Sequence, residues 1–412
     1  MFYYILWLWA GTAFRLFFDK IYVTGRENIP KKGPILLLCN HPNSFFEACI
    51  ISCFQPRVLH YLVRGDMFDK KWLRPILKYT YQIPIYRMKD GFEKLRNNKS
   101  TFSKSFDVLK EGKVILMFPE ASTLYVPWLR PLQKGAARLA IGAFEEREVE
   151  DLCIIPAGIY YRDALVSRNS VSLNFGQAIY LKDWYNNLEN VDDKLSKLNA
   201  EIENRMSKLI PPFNVNSDIN SITVVQDIME SENDNWGSFF AYDGNYFNRT
   251  MYKILDVIHS EKLLKVKNDD QFKSCIKELG LNNIKIHKDT KIELAGKTLI
   301  TFLLALPALI SYGFLFYGIK KWIQKKIRSK EFYSPVRIAV TMVCHLVLSL
   351  VYFFVINYFY SAFIALGWVL VSTISIYFYA SWIGLSRMWN YSLHPFKAKF
   401  DSFRLKIVAL IS

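Results

Sequence analysis

The sequence predicts an α/β fold. It would be a mostly parallel sheet flanked by helices, with an N-terminal interfacial helix and C-terminal transmembrane helices. Three observations predict it. Short apolar runs, Ile35–Cys39 (ILLLC), Val114–Phe118 (VILMF) and Cys153–Tyr160 (CIIPAGIY), are bounded by Gly, Pro or charge, as fully buried strands are. Helical stretches such as Ser100–Glu111 and Lys134–Arg147 lie between them, and that alternation implies a parallel sheet covered on both faces. Finally, residues 297–318 and 338–385 are almost free of charge and long enough to cross a bilayer.

The chain opens MFYYILWLWAGTAF, a short apolar run without the leading positive charges of a signal peptide. Tyr3, Tyr4, Trp7 and Trp9 suit the headgroup level of a bilayer. Residues 1–20 are read as an interfacial helix. Packing of this helix on the protein's own core is an equal alternative.

Residues 21–182 are expected to form the main α/β domain. Residues 183–296 are polar and charged; in them Leu195, Leu198, Ile202, Met206 and Leu209 recur at three- and four-residue steps, which predicts an amphipathic helix ended by Pro211 and Pro212. Residues 297–412 form the membrane region, with a turn near Asn357–Ser361. Its basic loop, 319–337, carries Lys320, Lys321, Lys325, Lys326, Arg328 and Lys330 and should be cytoplasmic. If the α/β domain faces the cytoplasm as well, segment 297–318 is expected to be a re-entrant hairpin bent at Pro307 or an in-plane helix.

Hydrophobic residues make up 51% of the chain, an excess concentrated in these segments. The 53 Lys and Arg outweigh 37 Asp and Glu, giving a formal charge of +16, which suits an anionic membrane or substrate. Without a zinc-knuckle or helix-turn-helix pattern, nucleic acid is not an expected partner. Six cysteines form no Cys-x-x-Cys pair, so neither a disulfide framework nor a metal site is expected. A reducing setting fits.

Four blocks carry chemistry. Asn40-His41-Pro42-Asn43-Ser44-Phe45-Phe46-Glu47 follows the first buried strand at its carboxyl end, where open α/β sheets gather ligands. His41 there can take a proton from a hydroxyl, and Glu47 can fix its tautomer. In Gln82-Ile83-Pro84-Ile85-Tyr86-Arg87, Arg87 is placed to hold a phosphate. In Phe118-Pro119-Glu120-Ala121-Ser122-Thr123, Glu120 can accept from acceptor hydroxyls or brace a basic residue, while Ser122 and Thr123 can donate to phosphate oxygens. Arg130, Lys134 and Arg138 add positive charge downstream, the last two on one helix face; a solvated basic face is the alternative. In Ile154–Tyr160, Pro156 suggests an edge strand or a bend, and the small residues beside it leave room for an acyl chain or for close packing.

In order and spacing, these blocks over residues 21–180 resemble the glycerophospholipid acyltransferase family, which includes glycerol-3-phosphate and 1-acylglycerol-3-phosphate acyltransferases. The resemblance implies that His41 is a general base. It would deprotonate the acceptor hydroxyl, which then attacks the thioester of acyl-CoA or acyl-carrier protein without a covalent enzyme intermediate. Arg87 and the block around Pro119 and Glu120 would hold the acceptor phosphate. No cofactor is implied; the acyl thioester is a co-substrate. Expected partners are membrane lipids, the acyl donor and a phosphorylated glycerol. The expected place is a membrane, with the catalytic domain facing the cytoplasm.

Three positions depart from the family pattern. Its usual Asp after four intervening residues is here Phe46, and the carboxylate is Glu47. Ala121 replaces a Gly, which is tolerable if that backbone avoids positive φ. Tyr81 stands where Gly is common. The longer His41–Glu47 spacing and the long C-terminal region lean toward glycerol-3-phosphate or dihydroxyacetone phosphate as acceptor, with lysophosphatidate close behind. A catalytically inactive membrane scaffold or transport protein is the competing class. Against it, the candidate spans hold almost no ionisable residues, Pro307 and His345 being the only features of note.

Overall fold

A computed structural model describes residues 2–71, 73–86, 98–188, 193–217 and 290–395, with scattered positions in 219–243 and 397–405. Arg87 lies outside the described residues. The chain divides into two compact units. The first comprises 1–12, 23–160 and 172–214; the second comprises 13–22, 161–171 and 215–412.

The first unit is built on a sheet. The strands of the sheet are β1 (Lys20–Thr24), β2 (Ile35–Cys39), β3 (Leu59–Arg64), β4 (Gln82–Ile85), β5 (Val114–Met117), β6 (Cys153–Tyr161), β7 (Ser170–Phe175), β8 (Ile179–Tyr180) and β9 (Tyr242–Asp243), in the spatial order β4-β3-β5-β2-β6-β7-β1-β9 with β8 beside β6. Pairs β2–β5, β2–β6, β3–β4 and β3–β5 are parallel, and β8 pairs antiparallel with β6. The sheet is thus mostly parallel, as expected. All five residues of β2 and all nine of β6 are buried, which is why these strands read as unbroken apolar runs rather than alternating ones.

Helices cover the sheet: α1 (Phe2–Phe17), α2 (Phe46–Phe54), α3 (Arg74–Tyr79), α4 (Asn98–Lys110), α5 (Gly135–Arg147), α6 (Leu181–Asn186) and α7 (Lys194–Ser207). The expected amphipathic helix is α7. Leu198, Ile202 and Met206 are fully buried and join one core cluster with Ala136, Ala140 and Leu109. At the start of α1, the Trp7 indole N–H donates to the Ser52 carbonyl at 2.8 Å, while Tyr4, Ile5 and Leu8 stay exposed. The helix therefore packs one face on α2 and leaves an apolar face uncovered.

Pro156 corrects the sequence reading. It lies inside β6, in register with Leu38 of β2, and not on an edge strand. A residue's N–H and C=O face the same side of a strand. The Pro156 carbonyl accepts from the Gly176 N–H, just past the end of β7, so the missing donor falls where the ladder has stopped. Gly158 serves close packing. A Cβ there would meet the Leu209 carbonyl and the Ile210 side chain at 2.7 Å.

In the second unit three long helices stand out: α8 (Lys291–Lys326), α9 (Lys330–Phe359) and α10 (Ala362–Leu393). Each is long and apolar enough to cross a membrane. A capping box starts α8: the Thr290 hydroxyl accepts from the Glu293 N–H, and Glu293 accepts from the Thr290 N–H. Pro307 sits within this one continuous helix, so the expected hairpin bent at Pro307 does not form. Neighbouring helices supply the packing that lets a long apolar helix tolerate a proline: α8 packs along α10 and α9. The tight turn between α9 and α10, at Tyr360–Ser361, falls where the sequence placed it.

Within this bundle Tyr312 is fully buried, its hydroxyl 2.9 Å from Ser349 Oγ and 3.3 Å from Ser372 Oγ. One residue from each helix thus meets at a polar node, and the His345 ring packs on Tyr312 with centroids 4.6 Å apart.

Candidate active site

The parallel register of β2 and β5 sets Leu38 beside Met117, so the segments leaving both strands emerge side by side at their carboxyl ends. One is Asn40–Glu47, the other Phe118–Thr123. Blocks nearly eighty residues apart are neighbours for this reason; His41 and Glu120 are 79 residues apart in sequence.

Asn40 anchors the first segment. Its amide N donates to the Ile159 carbonyl at 2.9 Å and its Oδ1 accepts from the Ile159 N–H at 2.8 Å. This buried pair of bonds clamps the loop to β6, a role not evident from sequence; a polar residue directly after an all-buried strand was the available signal. The turn then passes through Ser44 at φ 59° into α2.

Glu47 lies in the first turn of α2, where the helix dipole favours a carboxylate. It is completely buried, and its Oε2 lies 3.0 Å from Nδ1 of His41, whose side chain is 17% exposed. Phe118 stacks flat on the imidazole, with centroids 4.1 Å apart and planes 9° apart. The ring is thus held at one edge and one face. A buried carboxylate on Nδ1 selects the tautomer in which Nε2 carries the lone pair.

Glu120 braces a basic residue, the second of the two roles its sequence context allowed. Its Oε2 accepts from the His41 backbone N–H at 3.2 Å and from Arg130 Nη2 at 2.6 Å, and its Oε1 accepts from the Arg130 N–H at 3.1 Å. Arg130 Nη1 also donates to Ser122 Oγ at 2.8 Å. The ion pair is well shielded, with side chains 2% and 15% exposed. His41, Glu47, Glu120, Ser122 and Arg130 therefore form one connected cluster.

The remaining residues of the two blocks sit around it. Pro119 is buried, and its carbonyl accepts from the Gln133 N–H at 2.8 Å. Thr123 is half-buried in the following loop. Lys134, just ahead of α5, instead donates to Ser196 Oγ of α7 at 2.5 Å, outside that hydrogen-bonded cluster.

Two of the positions that depart from the family pattern adopt a glycine-like backbone. Ala121 has φ 57° and Tyr81 has φ 57°, so Ala121 does not avoid the left-handed region as its tolerance was expected to require. Burial pushes the thiols nearest the site upward. Cys49 is raised to about 12, first by burial and then by the Glu47 charge, and Cys39 is raised for the same two reasons. Neither is a nucleophile near neutral pH.

Among the described residues, no group of His, Cys, Asp and Glu is arranged to hold a metal ion. The arrangement can take a proton from a bound hydroxyl through an oriented imidazole.

A family model described as Acyltransferase matches residues 20–160. The chain is 22% identical over 198 residues to a 1-acyl-sn-glycerol-3-phosphate acyltransferase of Bacillus subtilis, covering 46% of this chain and 90% of that protein. It is 25% identical over 163 residues to a protein of the same name from Borreliella burgdorferi, covering 39% and 59%. It is 27% identical over 112 residues to glycerol-3-phosphate O-acyltransferase 2 of Saccharomyces cerevisiae, covering 27% and 15%. The crystal structure of the 1-acyl-sn-glycerophosphate acyltransferase of Thermotoga maritima aligns with a TM-score of 0.39 at 15% identity, covering 50% of this chain and 77% of that one.

Proposed function

Residues 20–160 form an acyltransferase domain of the glycerophospholipid acyltransferase family, and on that premise we propose that the chain acylates 1-acylglycerol-3-phosphate (lysophosphatidate) to give phosphatidate. The His41–Glu47 pair carries this reading. His41 Nε2 takes the proton of the acceptor hydroxyl as its oxygen attacks the thioester carbonyl carbon. The tetrahedral adduct collapses, the carbon–sulfur bond breaks, and the imidazolium returns the proton to the departing thiolate. Glu47 stabilises the transient imidazolium, a role that needs a buried, fixed carboxylate.

We assign to Arg87, Ser122 and Thr123 the acceptor phosphate, and to Glu120 and Arg130 the placing of the His41 loop against it. The acyl donor is acyl-CoA or acyl-carrier protein, and no cofactor enters. Lysophosphatidate is favoured because the Bacillus and Borreliella relatives are named for that acceptor. Glycerol-3-phosphate is the second reading; the yeast relative and the length of the His41–Glu47 interval favour it. Three long apolar helices suit an enzyme whose acceptor and product both partition into a bilayer. We place the lysine-rich last turns of α8 on the cytoplasmic side.

The test is thiol release from acyl-CoA by the purified full-length protein, with lysophosphatidate, glycerol-3-phosphate and dihydroxyacetone phosphate offered separately. Release that needs lysophosphatidate and vanishes in His41→Ala supports the reading. Release with glycerol-3-phosphate alone replaces the acceptor. No release with any acceptor, from either acyl-CoA or acyl-carrier protein, leaves a scaffold that keeps the fold without the chemistry.

A further inference from the structure

Four arginines meet in the second unit, outside the cluster around His41. Arg162 and Arg168 come from segment 161–171, Arg337 from the first turns of α9 and Arg387 from the last turns of α10. Arg162 and Arg168 are 9% and 7% exposed. Arg387 Nη1 donates to the Ser167 carbonyl at 2.6 Å. The Arg168 side chain lies against Gly384 of α10, 3.7 Å from where a Cβ would stand. The charges of Arg337, Arg162 and Arg168 all act on Arg387, and the carboxylate of Asp163 opposes them. Asp19 pairs with Arg168 at Nη2. Among the described residues, Arg168, Arg337 and Arg387 thus face the carboxylates of Asp19 and Asp163.

Burying excess positive charge is costly unless an anion accompanies it. Among the described residues, Arg168 Nε, Arg337 Nη2 and the hydroxyl of Ser334 are buried without a hydrogen-bond partner. Ser334 is fully buried and precedes Arg337 by three residues, on the same face of α9. Planar guanidinium forks match phosphate oxygens bidentately, and the hydroxyl beside them adds a further donor.

Position supplies the source. From Arg337 to the end of α9 the helix rises about 33 Å, and from the start of α10 to Arg387 about 38 Å, at about 1.5 Å per residue. The hydrocarbon core of a bilayer is about 30 Å thick. Both guanidinium groups therefore lie one hydrocarbon thickness from the Tyr360–Ser361 turn, at headgroup depth. The ring of Arg337 neighbours fits that depth too, its guanidinium lying 5.0 Å from the centroid of Phe17 and 5.5 Å from that of Tyr333.

We propose that Arg168, Arg337, Arg387 and Ser334 form a binding site for the phosphate of an anionic membrane phospholipid. The bound headgroup neutralises the arginine cluster and fastens segment 161–171 to the ends of α9 and α10. This rests on the membrane position of the two helices and not on acyl transfer.

The experiment uses full-length protein in nanodiscs of dioleoylphosphatidylcholine, with or without dioleoylphosphatidylglycerol. Lipid retained after transfer to detergent is measured by native mass spectrometry, and thermal unfolding is measured in parallel. The proposal expects phosphatidylglycerol to be retained and to raise the unfolding temperature. Arg387→Gln should weaken retention by about tenfold, as loss of a charge-assisted phosphate contact does. Should that variant fold poorly, Ser334→Ala decides. Removing a buried, unpartnered hydroxyl is neutral or stabilising to the fold alone, so weaker retention in a variant of unchanged or higher stability marks a ligand contact. Equal retention of both lipids, or retention unchanged in Ser334→Ala, overturns the site. Stabilisation by inorganic phosphate equal to that by phosphatidylglycerol overturns the lipid as its source.

Discussion

Glu47 reaches Nδ1 of His41 at 3.0 Å from the first turn of α2, although five residues separate them. The turn at Ser44, with φ 59°, takes up the extra residue, and the longer glutamate side chain spans the rest. The length of the side chain and the length of the turn therefore compensate each other. Glu47→Asp should lower kcat by about 100-fold, because a carboxylate displaced by about 1 Å no longer holds the ring. Glu47→Gln should lower kcat further while leaving the acceptor KM nearly unchanged. Steady-state kinetics on the two variants check this, and a Glu47→Asp enzyme with wild-type kcat would refute the compensation.

The Glu120–Arg130 pair predicts a different signature. It is buried and ties the Phe118–Thr123 segment to the His41 backbone. Arg130→Ala leaves a buried carboxylate facing only two backbone N–H groups and should cost about 3–5 kcal/mol of stability. Glu120→Gln with Arg130→Met, which removes both charges, should recover part of that loss. Thermal unfolding of the single and double variants reads it. Additive losses would mean that the pair is not coupled.

Much of this site was legible because it sits at strand ends. The runs ILLLC and VILMF fix β2 and β5, and parallel pairing then forces His41 and Glu120 together. The sequence could not show which of two roles Glu120 plays, since that depends on Arg130 folding back ten residues later. Pro156 misled because its missing N–H is harmless only where β7 ends, a fact of sheet register. Pro307 misled for a related reason: its effect is set by the neighbours α9 and α10, which no local pattern encodes. The arginine cluster was invisible because its members are spread from Arg162 to Arg387.

The two glycine-like positions predict opposite results. Ala121 is exposed at φ 57°, a conformation that costs an L-residue about 1–2 kcal/mol. Ala121→Gly should therefore stabilise the protein by up to about 1 kcal/mol, after the greater freedom of glycine in the unfolded chain is allowed for. Tyr81 has the same φ, but its ring lies 5.8 Å from that of Tyr3 and 5.0 Å from that of His60. Such ring contacts are worth about 0.5–1.5 kcal/mol each, so Tyr81→Gly should be neutral or destabilising. Unfolding temperatures of the two variants moving in the same direction would remove this distinction.

His60 makes stability depend on pH. Its ring is buried and Nδ1 has no hydrogen-bond partner among the described residues; burial, and then the Lys113 charge, lower its pKa in the folded protein. The unfolded chain therefore holds the proton more tightly, beginning near the ordinary value of about 6.5. Above that value both states are neutral and the residue costs nothing. As pH falls through it, protonation favours the unfolded state, so stability declines until the lower folded pKa is passed. Unfolding temperature should drop between about pH 7.5 and about pH 5.5, and the drop should shrink in His60→Phe, which keeps a ring against Tyr81 and has no proton to bind. An unchanged acid slope in His60→Phe would assign the pH dependence to another group.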